Sequence, residues 1–244
     1  MIVAPDFPWR SAGRTHTGKV RARNEDAFLA LADKRLWAVA DGMGGHQNGA
    51  LASRLIVEHL AELPVQGTMD QRVKDVRRCL HLLNRRLTQE LTVTAEQPDP
   101  VIGSTAVVLL IEGDHAVCLW AGDSRCYLWR GGTLFQLSRD HSFYEELMQE
   151  GRMDPAKAAQ HPSARALTRA VGANETLTLD LVEFTVYPGD TLLLCSDGLY
   201  QEMTTDTIGR GLSQPSVSLA LQKLFELAMD GPARDNLSAV IIRQ

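Results

Sequence analysis

Residues 103–137 read GSTAVVLLIEGDHAVCLWAGDSRCYLWRGGTLFQL, and the rhythm of this stretch decides the fold. Four short runs rich in aliphatic, β-branched and aromatic residues (105–111, 116–121, 125–129 and 133–137) are divided by brief polar or glycine-bearing breaks. Such runs read as strands, and Gly131-Gly132 between the last two is a tight hairpin signal. Strands joined this closely pair antiparallel. Further strands are expected at 177–186, 191–195 and 238–242. Helices are expected at 50–63, 70–91 and 216–229. In 70–91, Val73, Val76, Leu80, Leu83, Leu87 and Leu91 recur every three or four residues and form one buried stripe. Asp70 is the expected N-cap, and Pro98-Asp99-Pro100 breaks the chain beyond. Hairpin-linked strands set apart from helix pairs give an α+β fold with antiparallel sheets covered by helices, not a doubly wound parallel sheet. The polar stretch 143–170, bounded by Gly and Pro, reads as a surface excursion.

The chain has 244 residues, 44% of them hydrophobic and 23% charged, which supports one sizeable core. A net charge of −5 argues against nucleic acid or an anionic membrane as the main partner. The opening residues lack the basic start and apolar core of a signal peptide, and no apolar run is long enough to span a bilayer. Cys79, Cys118, Cys126 and Cys195 fall inside apolar runs without CxxC spacing, so buried free thiols and a cytoplasmic location are expected.

One pattern recurs three times. Leu36-Trp37-Ala38-Val39-Ala40 leads into Asp41-Gly42, Val117 to Gly122 into Asp123, and Leu192 to Ser196 into Asp197-Gly198. Asp235 precedes the last strand, and Glu25-Asp26 lies near the start. Any one Asp-Gly is accounted for by a turn. Three strand-end repeats together raise a second reading, in which the carboxylates converge. Like charges brought together need a cation, and an oxygen-only set suits magnesium or manganese. Two such ions activate a water and screen a phosphoryl transition state, so no Ser or Cys nucleophile is required. Arg21 is of the type that grips phosphate in a bidentate fork.

The ordered set of motifs resembles the metal-dependent protein phosphatases (the PPM or type 2C class), and its compact bacterial members in particular. The stretches that carry the likeness are 17–28 (TGKVRARNEDAF), 39–46 (VADGMGGH), 103–106 (GSTA), 121–125 (AGDSR), 138–142 (SRDHS), 167–172 (LTRAVG), 195–199 (CSDGL) and 234–238 (RDNLS). The resemblance implies two stacked antiparallel sheets flanked by helices, an α-β-β-α sandwich formed as one phosphatase domain over 1–244. It implies hydrolysis of phosphoserine and phosphothreonine in proteins by a water activated between two Mn2+ or Mg2+ ions, acting as a monomer opposite a Ser/Thr kinase. Asp41 then bridges the ions, with the Gly42 carbonyl on one and Asp197 and Asp235 on the other. Glu25 and Asp26 hold metal-bound waters, Arg21 grips the phosphate, and Asp123 shares a third ion with Asp197. The excursion at 143–170 matches the family's flap beside the site.

Met43 stands where many eukaryotic members carry a His after the Asp-Gly. His46 and a metal-bound water are then alternative acids for the leaving group. Two further motifs are decoys. Gly13 to Lys19 fits GxxxxGK, yet Val20 replaces the magnesium-binding hydroxyl and no apolar strand precedes it. Gly122-Asp123-Ser124 resembles a GDS serine hydrolase but lacks the companion Asp-x-x-His. A catalytically inactive binding module is the remaining rival. Such relatives lose metal aspartates, and Asp41, Asp197 and Asp235 are all present here.

Overall fold

The computed structural model describes residues 9–44, 48–91, 102–149, 151 and 153–244. The run Ala106–Glu112 (β5) shows how the layers form. Val107, Leu109 and Ile111 point to one side and join a core of Trp37, Val39, Leu128, Leu192, Leu194, Val240 and Ile242. Ala106, Val108 and Leu110 point to the other side and meet Ile56, Leu60, Val76 and Leu80 from two helices. Because both faces are dry, the strand reads as an unbroken apolar run instead of an alternating one.

Around it the chain builds β1 (Arg10–His16), β2 (Asp26–Leu31), β3 (Leu36–Met43), α1 (Asn48–Ala61), α2 (Met69–Arg85) and β4 (Gly103–Ser104). After β5 come β6 (His115–Ala121), β7 (Arg125–Arg130), β8 (Thr133–Gln136), α3 (Phe143–Gln149) and α4 (Pro155–Ala159). The remainder is β9 (Asp180–Thr185), β10 (Thr191–Cys195), α5 (Asp197–Tyr200), α6 (Thr205–Leu212), α7 (Val217–Asp230) and β11 (Leu237–Arg243). One sheet has the order β1-β11-β10-β7-β8, the other β2-β3-β5-β6-β9, with β4 paired to β3. Every pairing is antiparallel. Residues of α1 and α2 cover the second sheet, and those of α6 and α7 cover the first through a third core around Leu193, Ile241, Leu224 and Phe225. The α-β-β-α sandwich expected from the sequence is therefore the observed one.

Several expectations need adjustment. The N-cap of α2 is Thr68, whose hydroxyl accepts from Gln71 N–H, while Asp70 sits inside the first turn. Thr68 holds the extended backbone a cap needs, and an acid one turn in still favours the helix dipole. The helix ends at Arg85 and runs on as a π-helical turn over Arg86–Leu91. The proline break at 98–100 lies outside the described residues. The excursion at 143–170 contains α3 and α4 and is tied at its base by an antiparallel bridge between Ser142 and Leu167. Both glycines of the β7–β8 hairpin have positive φ, 57° and 82°, as a tight primed turn requires. Three cysteines are buried and Cys79 is half-buried, all of them free. Among the described residues no helix is long and apolar enough to cross a membrane.

Arg72 anchors α2. The residue is 8% exposed, and its guanidinium donates to the carbonyls of Lys34 (2.5 Å), Arg35 (3.3 Å) and Ile111 (3.3 Å). It thus fastens the helix to the β2–β3 turn, where Arg35 itself has positive φ. Removing it strips the Lys34 carbonyl and the carbonyl of buried Ile111 of these donors, so Arg72→Ala is expected to lower the unfolding free energy by about 2–3 kcal/mol in urea denaturation. A loss below about 0.5 kcal/mol, the range of ordinary surface changes, would show that these bonds anchor nothing.

Candidate active site

The strand directions bring the acids to one edge. β3 and β6 both run antiparallel to β5, so they finish at the same side of their sheet, with Asp41 near the end of β3 and Asp123 just beyond β6. Asp26 opens β2 directly opposite Asp41. In the other sheet β10 ends at Cys195 and β11, antiparallel to it, begins at Leu237, which places Asp197 and Asp235 together. The sheets stack so that these edges meet in an open cleft of about 620 Å³, lined by Arg21, Glu25, Asp41, Gly42, Asp123, Asp197 and Asp235 among others. Every site residue expected from the sequence lines this cleft except Asp26, which is buried behind it. His46 lies outside the described residues.

The backbone around the acids is tightly fixed. Thr105 exchanges two bonds with Asp41: its N–H donates to Asp41 O (2.8 Å) and its hydroxyl accepts from Asp41 N–H (3.0 Å). Ser104 Oγ donates to the same carbonyl at 2.9 Å. Gly42 N–H donates to Glu25 O (3.1 Å), and a Cβ on Gly42 would sit 2.1 Å from Gly49 O. Only glycine fits that approach, where the start of α1 lies against the strand. Asn236 joins the two sheets across the cleft. Its Oδ1 accepts from Glu25 N–H (2.8 Å), while Nδ2 donates to the carbonyls of Thr17 and Arg23 (both 2.9 Å). The sequence reading quoted Asn236, Ser104 and Thr105 as motif members and gave them no role. The partners that fix Asp41 and span the sheets are 63 to 219 residues away, so no local spacing exposes them.

The electrostatics are those of crowded acids. Burial, and then the charges of Asp26, Asp197, Asp123 and Asp235, push Asp41 well above the usual carboxylate range. Burial first, with Asp197 and Asp140 behind it, lifts Asp123 to about 7. Burial lifts Asp26 to about 7 against the opposing hydrogen bonds from Ser196 and Ser238. Asp197 is raised by burial and by Asp235, against a hydrogen bond with Asp41. Two polar partners already reach in: Arg21 donates to Asp235 Oδ2 and Gln201 to Asp197 Oδ2, each at 2.6 Å. With these side chains so engaged, no three acids, histidines or thiols among the described residues stand ready as a ligand set for one ion. The chemistry of the donors nevertheless fits a hard cation. They are all oxygens, they raise one another's pKa, and Asp26 Oδ1 is buried with no hydrogen-bond partner. Ser124 is no nucleophile: it is 1% exposed and its hydroxyl bonds Thr105 Oγ1 at 2.7 Å. The GxxxxGK decoy also dissolves, since Gly13 lies within β1.

A cleft of this kind, with clustered carboxylates and a guanidinium at the mouth, is suited to metal-assisted hydrolysis of a phosphate ester. Comparison with known proteins agrees. The protein phosphatase 2C family profile matches residues 14–147. The chain is 36% identical over 236 residues to the Ser/Thr protein phosphatase PstP of Mycobacterium tuberculosis, covering 95% of this chain and 44% of that protein. The chain thus spans less than half the length of that curated relative. Among solved structures it is similar to PppA, a regulatory component of the T6SS in Pseudomonas aeruginosa (TM-score 0.88, 40% identity, 96% of this chain and 97% of the other). It is also similar to the catalytic domain of PstP in complex with two manganese ions (TM-score 0.80, 34% identity, 96% of this chain and 97% of the other). The chain belongs to the protein phosphatase 2C family.

The raised carboxylates set a pH dependence. Asp26 and Asp123 hold their protons in the folded chain up to about 7, whereas the unfolded chain releases them in the ordinary carboxylate range. Between those limits the folded state binds more protons, so stability falls as pH rises. Metal-free protein is therefore expected to melt at a lower temperature at pH 7 than at pH 5. Saturating manganese should reverse the trend, because ions and protons compete for the same oxygens. A melting temperature that climbs from pH 5 to 7 without metal would show that the acids are not crowded.

Proposed function

We propose that this chain removes phosphate from phosphoserine and phosphothreonine in other proteins, with Mn2+ or Mg2+ as cofactor. The observation that carries the reading is the convergence of Asp41, Asp123, Asp197 and Asp235 on one cleft with Arg21 at its mouth. In this reading Asp41, the Gly42 carbonyl, Asp197 and Asp235 would hold two ions, with Asp41 shared between them. Asp123 and Asp197 share a third, and Glu25 and Asp26 hold coordinated waters. When bound, the ions supply an activated water and screen charge on the phosphoryl group. Asp235 is the natural place for Arg21 to rest before substrate arrives, since the pair is 2.6 Å apart and both side chains are accessible. Releasing Asp235, the guanidinium can swing onto two phosphate oxygens and orient the ester for in-line attack. Thr105 and Asn236 keep the carboxylate backbones from shifting as charge redistributes.

The residues at 143–170 act as a flap over this single phosphatase unit, supported by Arg165 and Leu167, which line the cleft. The partners are phosphorylated proteins, among them a Ser/Thr kinase and its targets. The three buried cysteines suit the reducing cytoplasm.

Hydrolysis of para-nitrophenyl phosphate and of a phosphothreonine peptide with manganese, abolished by a chelator, is the direct test. Asp41→Asn and Asp197→Asn are each expected to lower turnover at least about 100-fold and to erase the manganese-induced rise in melting temperature. Either variant turning over normally at saturating manganese overturns its assignment as a ligand. Arg21→Ala is expected to raise KM for the phosphopeptide about tenfold, the worth of a charged hydrogen bond, with a smaller effect on kcat. An unchanged KM removes Arg21 from the site.

A further inference from the structure

Two motifs in the sequence, 138–142 (SRDHS) and 167–172 (LTRAVG), take no part in the chemistry above, and the fold brings them to one place. His141 is 6% exposed and lies behind the Gly122-Asp123 turn. Its Nδ1 accepts from Gly122 N–H at 3.1 Å, while its own N–H donates to Gly122 O at 3.0 Å. Because Nδ1 is an acceptor, the ring proton sits on Nε2, which faces Asp180 Oδ2 at 3.1 Å. Arg169 donates to Asp180 Oδ1 at 2.8 Å and completes the line, and the ring stacks on Trp120 with centroids 6.1 Å apart.

The same turn is gripped from its other side. Arg125 makes a bidentate pair with Asp140, 2.8 and 2.7 Å, and lies 3.6 Å from the centroid of the Tyr200 ring. The Tyr200 hydroxyl in turn donates to Asp123 O at 3.0 Å. Gly122 takes φ of 111°, and a Cβ there would stand 2.6 Å from Thr105, so the turn itself has little freedom. Residues 122–125 are thus held through one N–H, two carbonyls and a side chain, while the Asp123 carboxylate lines the cleft.

The geometry points to His141 as a positioning residue for Asp123, acting through its Nδ1 bond to the Gly122 amide. The Asp180–Arg169 pair fixes the ring's tautomer and orientation, as outer-shell carboxylates do for histidines at metal sites. Thr168 N–H donates to His141 O at 2.9 Å, so the base of the 143–170 segment is fastened at the same residue. The inference rests on reading Asp123 as a ligand of the third ion.

The test is manganese binding to the intact folded protein, read without substrate by electron paramagnetic resonance of free manganese. The weakest class of site is compared among wild type, Asp123→Asn, His141→Asn and His141→Gln. An Asn amide oxygen falls near the Nδ1 position and can still accept from Gly122 N–H. A Gln reaches the Nε2 position instead and is the nearer of the two to the ring in volume, so loss of packing against Trp120 alone would harm His141→Asn at least as much as His141→Gln. His141→Gln is expected to weaken the weakest class at least about tenfold, and His141→Asn by no more than about threefold, with the tighter sites unchanged in both. Equal weakening in the two variants would mean the ring merely packs, and no weakening would mean it positions nothing; either result overturns the inference. If Asp123→Asn leaves the weakest class untouched, the ligand reading itself falls. Should neither His141 variant fold, Asp180→Ala, which removes the carboxylate that fixes the tautomer and orientation of the His141 ring, carries the test. At least about a threefold weakening is then expected, and wild-type binding overturns the inference.

Discussion

Mutual repulsion among acids at the shared edge of two sheets is the constraint around which this molecule is organised. Asp26, Asp41, Asp123 and Asp197 all sit above their ordinary pKa, and burial is the leading cause for each. A fold that gathers such groups loses stability locally and must offset the loss elsewhere. Here the offset lies in three apolar layers. The central one, between the sheets, contains Trp37, Leu109, Leu192 and Ile242, each fully buried. Stacking the sheets creates that layer and also forces their acidic edges together, so the stabilising and destabilising features have one origin. Divalent ions are the natural resolution, since they turn the repulsion into coordination.

The polar groups around the cleft act mainly on backbone. Thr105 and Ser104 hold Asp41, Ser196 Oγ donates to Asp26 Oδ2 at 2.7 Å, and Asn236 spans the sheets. The side-chain partners of the cleft carboxylates are Arg21 and Gln201, which can leave, while Asp235 Oδ1 keeps the Asn236 N–H at 2.9 Å. A rigid main chain beneath mobile counter-groups lets the site accept ions and phosphate without rebuilding its walls.

Much of this was legible in the sequence because the signals were local or repeated. The strand runs from 105 to 137 carry hairpin turns, and the three strand-end aspartates announce themselves by recurrence. Strands β1 and β2 went unread, as their side chains are mostly half-buried and mixed in character. The short helix α5 was hidden inside the Asp197 motif, and α6 carries two glycines at 209 and 211 that oppose a helical reading. Those glycines are required by packing, since a Cβ would strike Trp129 at one and Leu224 at the other. Asp70 was mistaken for a cap because Thr68 lies just ahead of it and both are good cap formers. The roles of Asn236, Arg72 and His141 depend on partners far away in the chain, and no periodicity reports those.

The bonds of Asn236 carry a consequence for how the molecule is made. It sits just ahead of β11, and β11 pairs with β1, so residues 10–16 and 237–243, more than 200 positions apart, form one ladder beside the cleft. Contacts of such long range form late, because the chain must close its largest loops first. A chain that has been built only as far as residue 234 has neither Asp235 nor the Asn236 bridge across the sheets. Until those residues have joined the fold, the cleft lacks one wall and one of its acids.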